Sequence, residues 1–282
     1  MRKHTFSLLG AVMVLSVFYT TNAFAQGSLM VNPKRLILDD RRRNDVLTLY
    51  NNGSDTTSYL ISLKHFEMRQ DGSFKDVDTL PRDYTSADSI LRYFPLEVTL
   101  APHESQAIKI RYMKPKDLAS GEYRSHLFFQ SIERVKSLEA ARSDTDKTIS
   151  LALHAVFGLS IPIIVRNETN SAKVGLDSLM VSAPDTSNKV IVTANLNRTG
   201  DESCYGSFIV NHIAKDGKVT ELSSLKGLAV YVPLRTRKVA FQFKIPDGVD
   251  MTTGTLRLEY QTLTDNPKET TLASAELPLK KG

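Results

Sequence analysis

The sequence predicts an all-β chain folded as two successive sandwiches, and three features carry that prediction. Nearly everything after residue 26 divides into short runs of alternating apolar and polar residues, separated by Gly, Asn, Asp and Pro turn signals. No stretch of the mature chain holds a helical period over the length of a helix. The pattern halts at Asn167-Glu168-Thr169-Asn170-Ser171 and then restarts, which leaves two parts of sandwich size.

Residues 29–38 alternate moderately and end at the turn-like Asp39-Asp40. Residues 46–50 lead into Asn51-Asn52-Gly53-Ser54-Asp55, a strong turn. Residues 58–68 follow, with Tyr59, Ile61, Leu63 and His65 on one face. Residues 69–89 are polar, contain Asp71-Gly72, and read as a turn and a loose excursion. The run 91–100 holds Pro95, which confines it to an edge or to a strand that changes sheets. After the Ala101-Pro102-His103-Glu104 turn, 107–112 alternates, and 121–132 is a strand with Tyr123, Ser125, Leu127 and Phe129 on one face. The charged segment 133–147 has almost no apolar period and reads as a loop or a short helix.

The strongest signal is 149–166. Its odd positions are all apolar: Ile149, Leu151, Leu153, Ala155, Phe157, Leu159, Ile161, Ile163 and Val165. Strands usually run roughly 3–10 residues, so this one either joins two domains or overhangs its sheet. Beyond the boundary, strands are expected over 173–181, 190–196, 206–214, 220–222, 227–232, 239–243, 255–263 and 271–277. Asp216-Gly217 and Pro246-Asp247-Gly248 are turns among them.

Residues 1–25 read as a signal peptide. Arg2 and Lys3 precede an apolar run, and Ala23-Phe24-Ala25 supplies the small-x-small cleavage site. The run is shorter than the about 20 apolar residues a spanning helix needs. A mature chain from Gln26 is therefore expected to leave the cytoplasm, with a first domain at 26–167 and a second at 168–282. Removing Arg2 and Lys3 lowers the formal net charge from +5 to +3. The densest basic run, Arg41-Arg42-Arg43, reads as a solvated turn, and no basic stripe with interleaved aromatics suggests nucleic acid. The single cysteine, Cys204, has no internal disulfide partner and reads as a buried thiol.

Several blocks resemble the PapD-type periplasmic chaperones of pilus and fimbria assembly. Asn32-Pro33-Lys34-Arg35-Leu36-Ile37-Leu38 resembles their first strand, and Thr48-Leu49-Tyr50-Asn51-Asn52-Gly53 their second strand and turn. The block 94–111, FPLEVTLAPHESQAIKIR, is the most specific match; Glu122 to Phe129 and the strand 149–166 complete it. The resemblance covers about residues 29–166 and implies two immunoglobulin-like sandwiches set in an L. It also implies a mechanism. A pilin subunit is a sandwich missing its last strand, and the chaperone's long strand fills the gap by donor-strand complementation. Burying four medium aliphatic side chains contributes on the order of 6–12 kcal/mol before ordering costs.

Mapped onto this chain, Ile149, Leu151, Leu153 and Ala155 are the expected subunit-binding residues, while Phe157, Leu159, Ile161 and Ile163 belong to the chaperone's own core. The resemblance makes Arg35 one of two cations that hold the subunit's terminal carboxylate. The second, a lysine on the long strand, has no counterpart here: Pro162 stands in its place, and Lys34 is the nearest substitute. Arg166 is expected in an interdomain ion pair. Expected partners are pilin or fimbrial subunits, an outer-membrane usher and, through the long strand, a second copy.

An enzyme is not expected. The mature histidines (His65, His103, His126, His154 and His212) show no zinc-site spacing, and neither a nucleophile elbow nor a phosphate-binding Gly-rich loop occurs. No cofactor or metal is implied. The rival class is a non-catalytic immunoglobulin-like structural or adhesive module of the cell envelope. The two differ in whether Leu151 and Leu153 are open to a partner or sealed in their own sandwich.

Overall fold

The computed structural model describes residues 29–81, 83–132, 157–263 and 270–280. In chain order its first part holds β1 (Leu29–Asn32), β2 (Leu36–Leu38), β3 (Asn44–Asn51), β4 (Thr57–Lys64), β5 (Phe66–Met68), β6 (Phe74–Asp76), a 3₁₀ turn at Asp88–Ile90, β7 (Leu91–Phe94), β8 (Glu97–Leu100), β9 (Ser105–Tyr112), β10 (Gly121–Ile132) and β11 (Gly158–Asn167). The second part holds β12 (Lys173–Val181), β13 (Lys189–Thr199), β14 (Cys204–Ile213), β15 (Val219–Val230), β16 (Thr236–Lys244), β17 (Thr255–Thr262) and β18 (Thr271–Pro278).

Two sheets, β1-β3-β9-β7 and β2-β11-β10-β4-β8, face each other in the first part. Their inward residues, among them Leu47, Leu49, Ile108 and Ile110 from one sheet and Ile61, Leu127, Phe129 and Ile163 from the other, form one buried cluster. The chain changes sheets twice at prolines. Residues 29–38 are not one strand but two, broken at Pro33, with β1 in the first sheet and β2 in the second. Pro95 separates β7 from β8 in the same way, and both are edge strands, where a missing N–H is tolerated. Asn51 is fully buried at the end of β3. Its side-chain amide donates to the carbonyls of Asp55, Leu100 and Ala101 while its oxygen accepts from Gly53 N–H, so every polar atom of this buried group is satisfied.

The second part pairs β12-β13-β16 against β15-β14-β17-β18 around Phe208, Leu258 and Tyr260. Residues 220–232, expected as two strands, are largely one: β15 keeps pairing with β14 through register shifts near Gly206 and Val210. Cys204 lies buried in this core, and burial pushes its thiol up.

The polar excursion 69–89 contains more order than its composition suggests. β5 and β6 form a short hairpin whose tip reaches the second part. Gln70 C=O accepts from Lys238 N–H at 2.6 Å, and Met68 joins Ile164, Ala229 and Tyr231 in a third buried cluster. Gly72 takes φ +82°, and a Cβ there would lie 2.2 Å from the Arg237 guanidinium. Gly72→Ala should therefore lose about 1–2 kcal/mol through backbone strain and a displaced Arg237. Urea unfolding checks this: an unchanged midpoint would mean that the hairpin tip is not anchored.

Candidate functional site: the open edge of β11 and the join between the sandwiches

β11 is antiparallel to β10, with Phe129 opposite Leu159 and Ser125 opposite Ile163. Ser131 N–H donates to Phe157 C=O, so Phe157 and the odd residues after it turn their backbone groups toward β10. Gly158, Ser160 and Pro162 consequently turn theirs outward. On that outer side β2 lies parallel to β11, but only from Leu36 opposite Ile163 to Leu38 opposite Val165. Among the described residues, nothing pairs with the outer edge between Gly158 and Pro162. Pro162 faces this edge and so deprives the β10 ladder of no hydrogen bond.

Ile161 and Ile163 are buried, as expected of the core, but Phe157 and Leu159 are 38% and 37% exposed. They do not belong to the core. Where β2 is absent, β11 is flanked on one side only, so an inward side chain there lacks a neighbour along the edge. Alternation in sequence is identical for covered and uncovered inward positions, so nothing in it opposes the core placement of these two that the resemblance implies. Ile149, Leu151, Leu153 and Ala155 lie outside the described residues.

Arg35 immediately precedes β2. Continuing the parallel register places it opposite Pro162, at the point where the open edge of β11 meets the start of β2. Its guanidinium carbon lies 4.2 Å from the centre of the Tyr205 ring, and Nη1 is buried without a hydrogen-bond partner. Burial pulls this guanidinium below its ordinary value; Tyr231 opposes that shift and Arg166 adds to it. Among the described residues no carboxylate is paired with Arg35. Lys34, beside it, is exposed.

Arg166 has the opposite circumstances. Its Nε donates to Glu122 Oε2 at 3.2 Å, Nη1 lies 2.9 Å from Glu202 Oε2, and Nη2 donates to Ser203 C=O at 3.0 Å. Glu122, on β10, is almost fully buried and also accepts from Ser203 N–H at 2.8 Å and from Ser203 Oγ–H. Ser203 Oγ in turn accepts from Val232 N–H. One charge-assisted network thus ties β10 and β11 to the loop before β14. Arg166 is committed to it, whereas among the described residues Arg35 has no carboxylate partner. Period and spacing point to none of Glu122, Glu202, Ser203 or Tyr205, because these contacts join residues far apart in the chain.

A cleft of about 440 Å³ lies nearby between Thr85, Glu122, Arg198, Asp201 and Arg235. Its buried charges are already in use: Arg198 donates to the carbonyls of Leu234, Gly200 and Glu202.

No family model matches the chain, and no curated protein matches it. Among solved structures it is similar to the YadV chaperone, at 13% identity and TM-score 0.43, over 89% of this chain and 100% of that one. It is similar to the CupB2 chaperone of Pseudomonas aeruginosa at 12% identity and TM-score 0.41, over 89% and 100%. The Salmonella enterica SafB chaperone in complex with SafA pilin gives 11% identity and TM-score 0.41, over 89% and 96%.

Removing the Glu122 carboxylate leaves Arg166 and two Ser203 donors short of an acceptor. Glu122→Ala should lose roughly 3–5 kcal/mol, and Glu202→Ala markedly less because its carboxylate is more exposed. Equal losses in chemical denaturation would show that the buried position of Glu122 is not what matters.

Proposed function

We propose that this protein is an exported, periplasmic chaperone that lends strand 149–166 to pilin-type subunits and releases them to an assembling partner such as an usher. The observation that carries this reading is the edge of β11 that stands open up to β2, with a carboxylate-free arginine at the stop. A strand added along this edge gains backbone hydrogen bonds from Ser160 and Gly158. It cannot continue past Pro162, because β2 occupies the edge from Ile163 onward. Whatever end of the strand arrives there meets Arg35. An ammonium terminus would be repelled and a carboxylate attracted, so the charge favours a strand parallel to β11 with its C-terminus at Arg35.

Upstream, Ile149, Leu151 and Leu153 act as the pocket-filling side chains, with Ala155 completing the set on the same face. Leu159 on β11 and Phe157 just before it, both half-exposed, carry that apolar face down to the chaperone's own core. Arg35 holds the carboxylate without a lysine partner on the long strand, and the Tyr205 ring under its guanidinium keeps the cation in place.

Expression in a bacterial periplasm with affinity capture tests the reading. Leu151→Asp with Leu153→Asp should leave the urea midpoint unchanged and abolish co-purification of the small β-rich subunit. Arg35→Gln should weaken capture by on the order of 10–100-fold, the loss of one charge-assisted interaction. Full capture by the double variant would rule out strand donation, and a parallel fall in stability for Arg35→Gln would make that residue structural.

A further inference from the structure

We propose that the β5–β6 hairpin is an acid-released clasp between the two sandwiches, with His126 as its proton sensor. This inference concerns the join itself and stands independently of the function proposed above.

His126 projects from the outer face of β10 and is only 3% exposed. Its ring is held edge-on by Phe66 at 5.0 Å and Phe74 at 5.7 Å, both from the hairpin, and by Tyr231 of the second part at 6.4 Å. Nδ1 has no hydrogen-bond partner. The charged groups around it leave a proton there without a free counter-charge. Arg124, on the same strand, is also 3% exposed; it lies 4.4 Å over the Tyr231 ring and donates to Phe66 C=O. Lys64, across from His126 on β4, is held by Asp76 of β6 at 3.0 Å. His65, between β4 and β5, is paired to Asp88 of the 3₁₀ turn at 3.0 Å, and Asp88 also accepts from Ser125. Glu67 and Lys75 alternate with the phenylalanines and so occupy the hairpin's other face. On β11 the opposing residue is Pro162, which brings no charge. Arg35, just before β2, and Arg237 of the second part lie near Tyr231. Both nearby carboxylates, Asp76 and Asp88, are therefore already engaged.

The hairpin is what covers this ring, and it is also what bridges the parts through Gln70, Gly72 and Met68. Lifting it wets His126 and breaks the bridge in one step. Burial, reinforced by Arg124 and then His65, holds the imidazole down to about 3. An exposed imidazole titrates near 6.5. Above that value neither the docked nor the lifted form carries the proton, and the clasp has its full stability. As pH falls from about 6.5 toward 3, only the lifted form takes the proton, and each pH unit favours lifting about tenfold.

Amide hydrogen exchange of the intact chain, corrected for intrinsic rates, reads the lifting directly. Between pH 7 and pH 4.5 the open population of residues 66–76 should rise by on the order of 100-fold, while 255–262 in the second core stays protected. His126→Phe and His126→Gln should each hold the change below about threefold. Equal changes in the wild type and both variants would overturn the proposal, as would opening of 255–262 before the hairpin. Should neither variant fold, the His126 ring proton resonance of the wild type decides: titration near 6.5 in the docked protein overturns the proposal, and a neutral ring at pH 4.5 upholds it.

Discussion

Backbone groups in a sheet need partners, and the allocation of those of β11 organises the rest of this molecule. Toward β10 the strand is paired along its length. Away from β10 it is paired to β2 over three residues and, among the described residues, open before them. Its side chains divide in a related way. Ile161, Ile163 and Val165 fill the first core, and Ile164 faces the second sandwich. One strand therefore serves as core, as interdomain surface and as exposed edge. β2 sets the division between the paired and open stretches, and the proline that lets β2 leave the other sheet, Pro33, thereby helps to create the open edge. Pro162 can sit in such a strand only because the edge it faces has no ladder bond to lose.

Two arginines near this strand differ in how the protein answers their charge. Arg166 shares Glu122, Glu202 and Ser203, and its charge is answered within the protein. Arg35, a short way off, has an aromatic face and a buried nitrogen with no acceptor. A buried cation without a counter-charge is costly unless something compensates it, and stacking on Tyr205 supplies only part of that compensation. A site that holds a cation partly stripped of water has a stronger pull on a carboxylate than one exposed to solvent.

The sequence made legible whatever rests on one covered face. Residues 107–112 and 255–263 alternate because each strand has a core side and a wetter side, and β9 and β17 lie there; β10 alternates over 121–132 in the same way although Glu122, Arg124 and His126 on its outer face are buried too. Contacts that gain their stability from distant parts left no such trace. The three-residue strands β5 and β6 are too short for a period and depend on docking against Lys238 and Arg237. The split of 29–38 is hidden because apolar residues flank Pro33 on both sides, although the buried positions change phase across it, from Val31 in β1 to Leu36 and Leu38 in β2. Only the resemblance to a chaperone motif points to Arg35 in the sequence, not its own chemistry; its ring partner, Tyr205, lies far along the chain with no marker of that contact. Phe157 and Leu159 show the limit of periodicity most clearly, since it specifies which way a side chain points and not whether anything covers it.

The aromatic cluster at the join explains how a chain with few large interdomain contacts can still keep two sandwiches in register. Tyr231 receives Arg124 on its face and touches His126 and Phe74, while its buried body packs with Met68, Ile164 and Ala229. Arg35, Tyr205 and Glu122 lie close enough to act on it electrostatically. A neutral imidazole suits this setting because it fills aromatic space without adding a third charge to Arg124 and Arg35. The same choice makes the join conditional: an arginine at 126 would stay charged in acid and at neutrality alike, and a phenylalanine would never carry a charge. Only histidine leaves the packing intact near neutrality and penalises it in acid, so the residue that completes the join is also the one able to undo it.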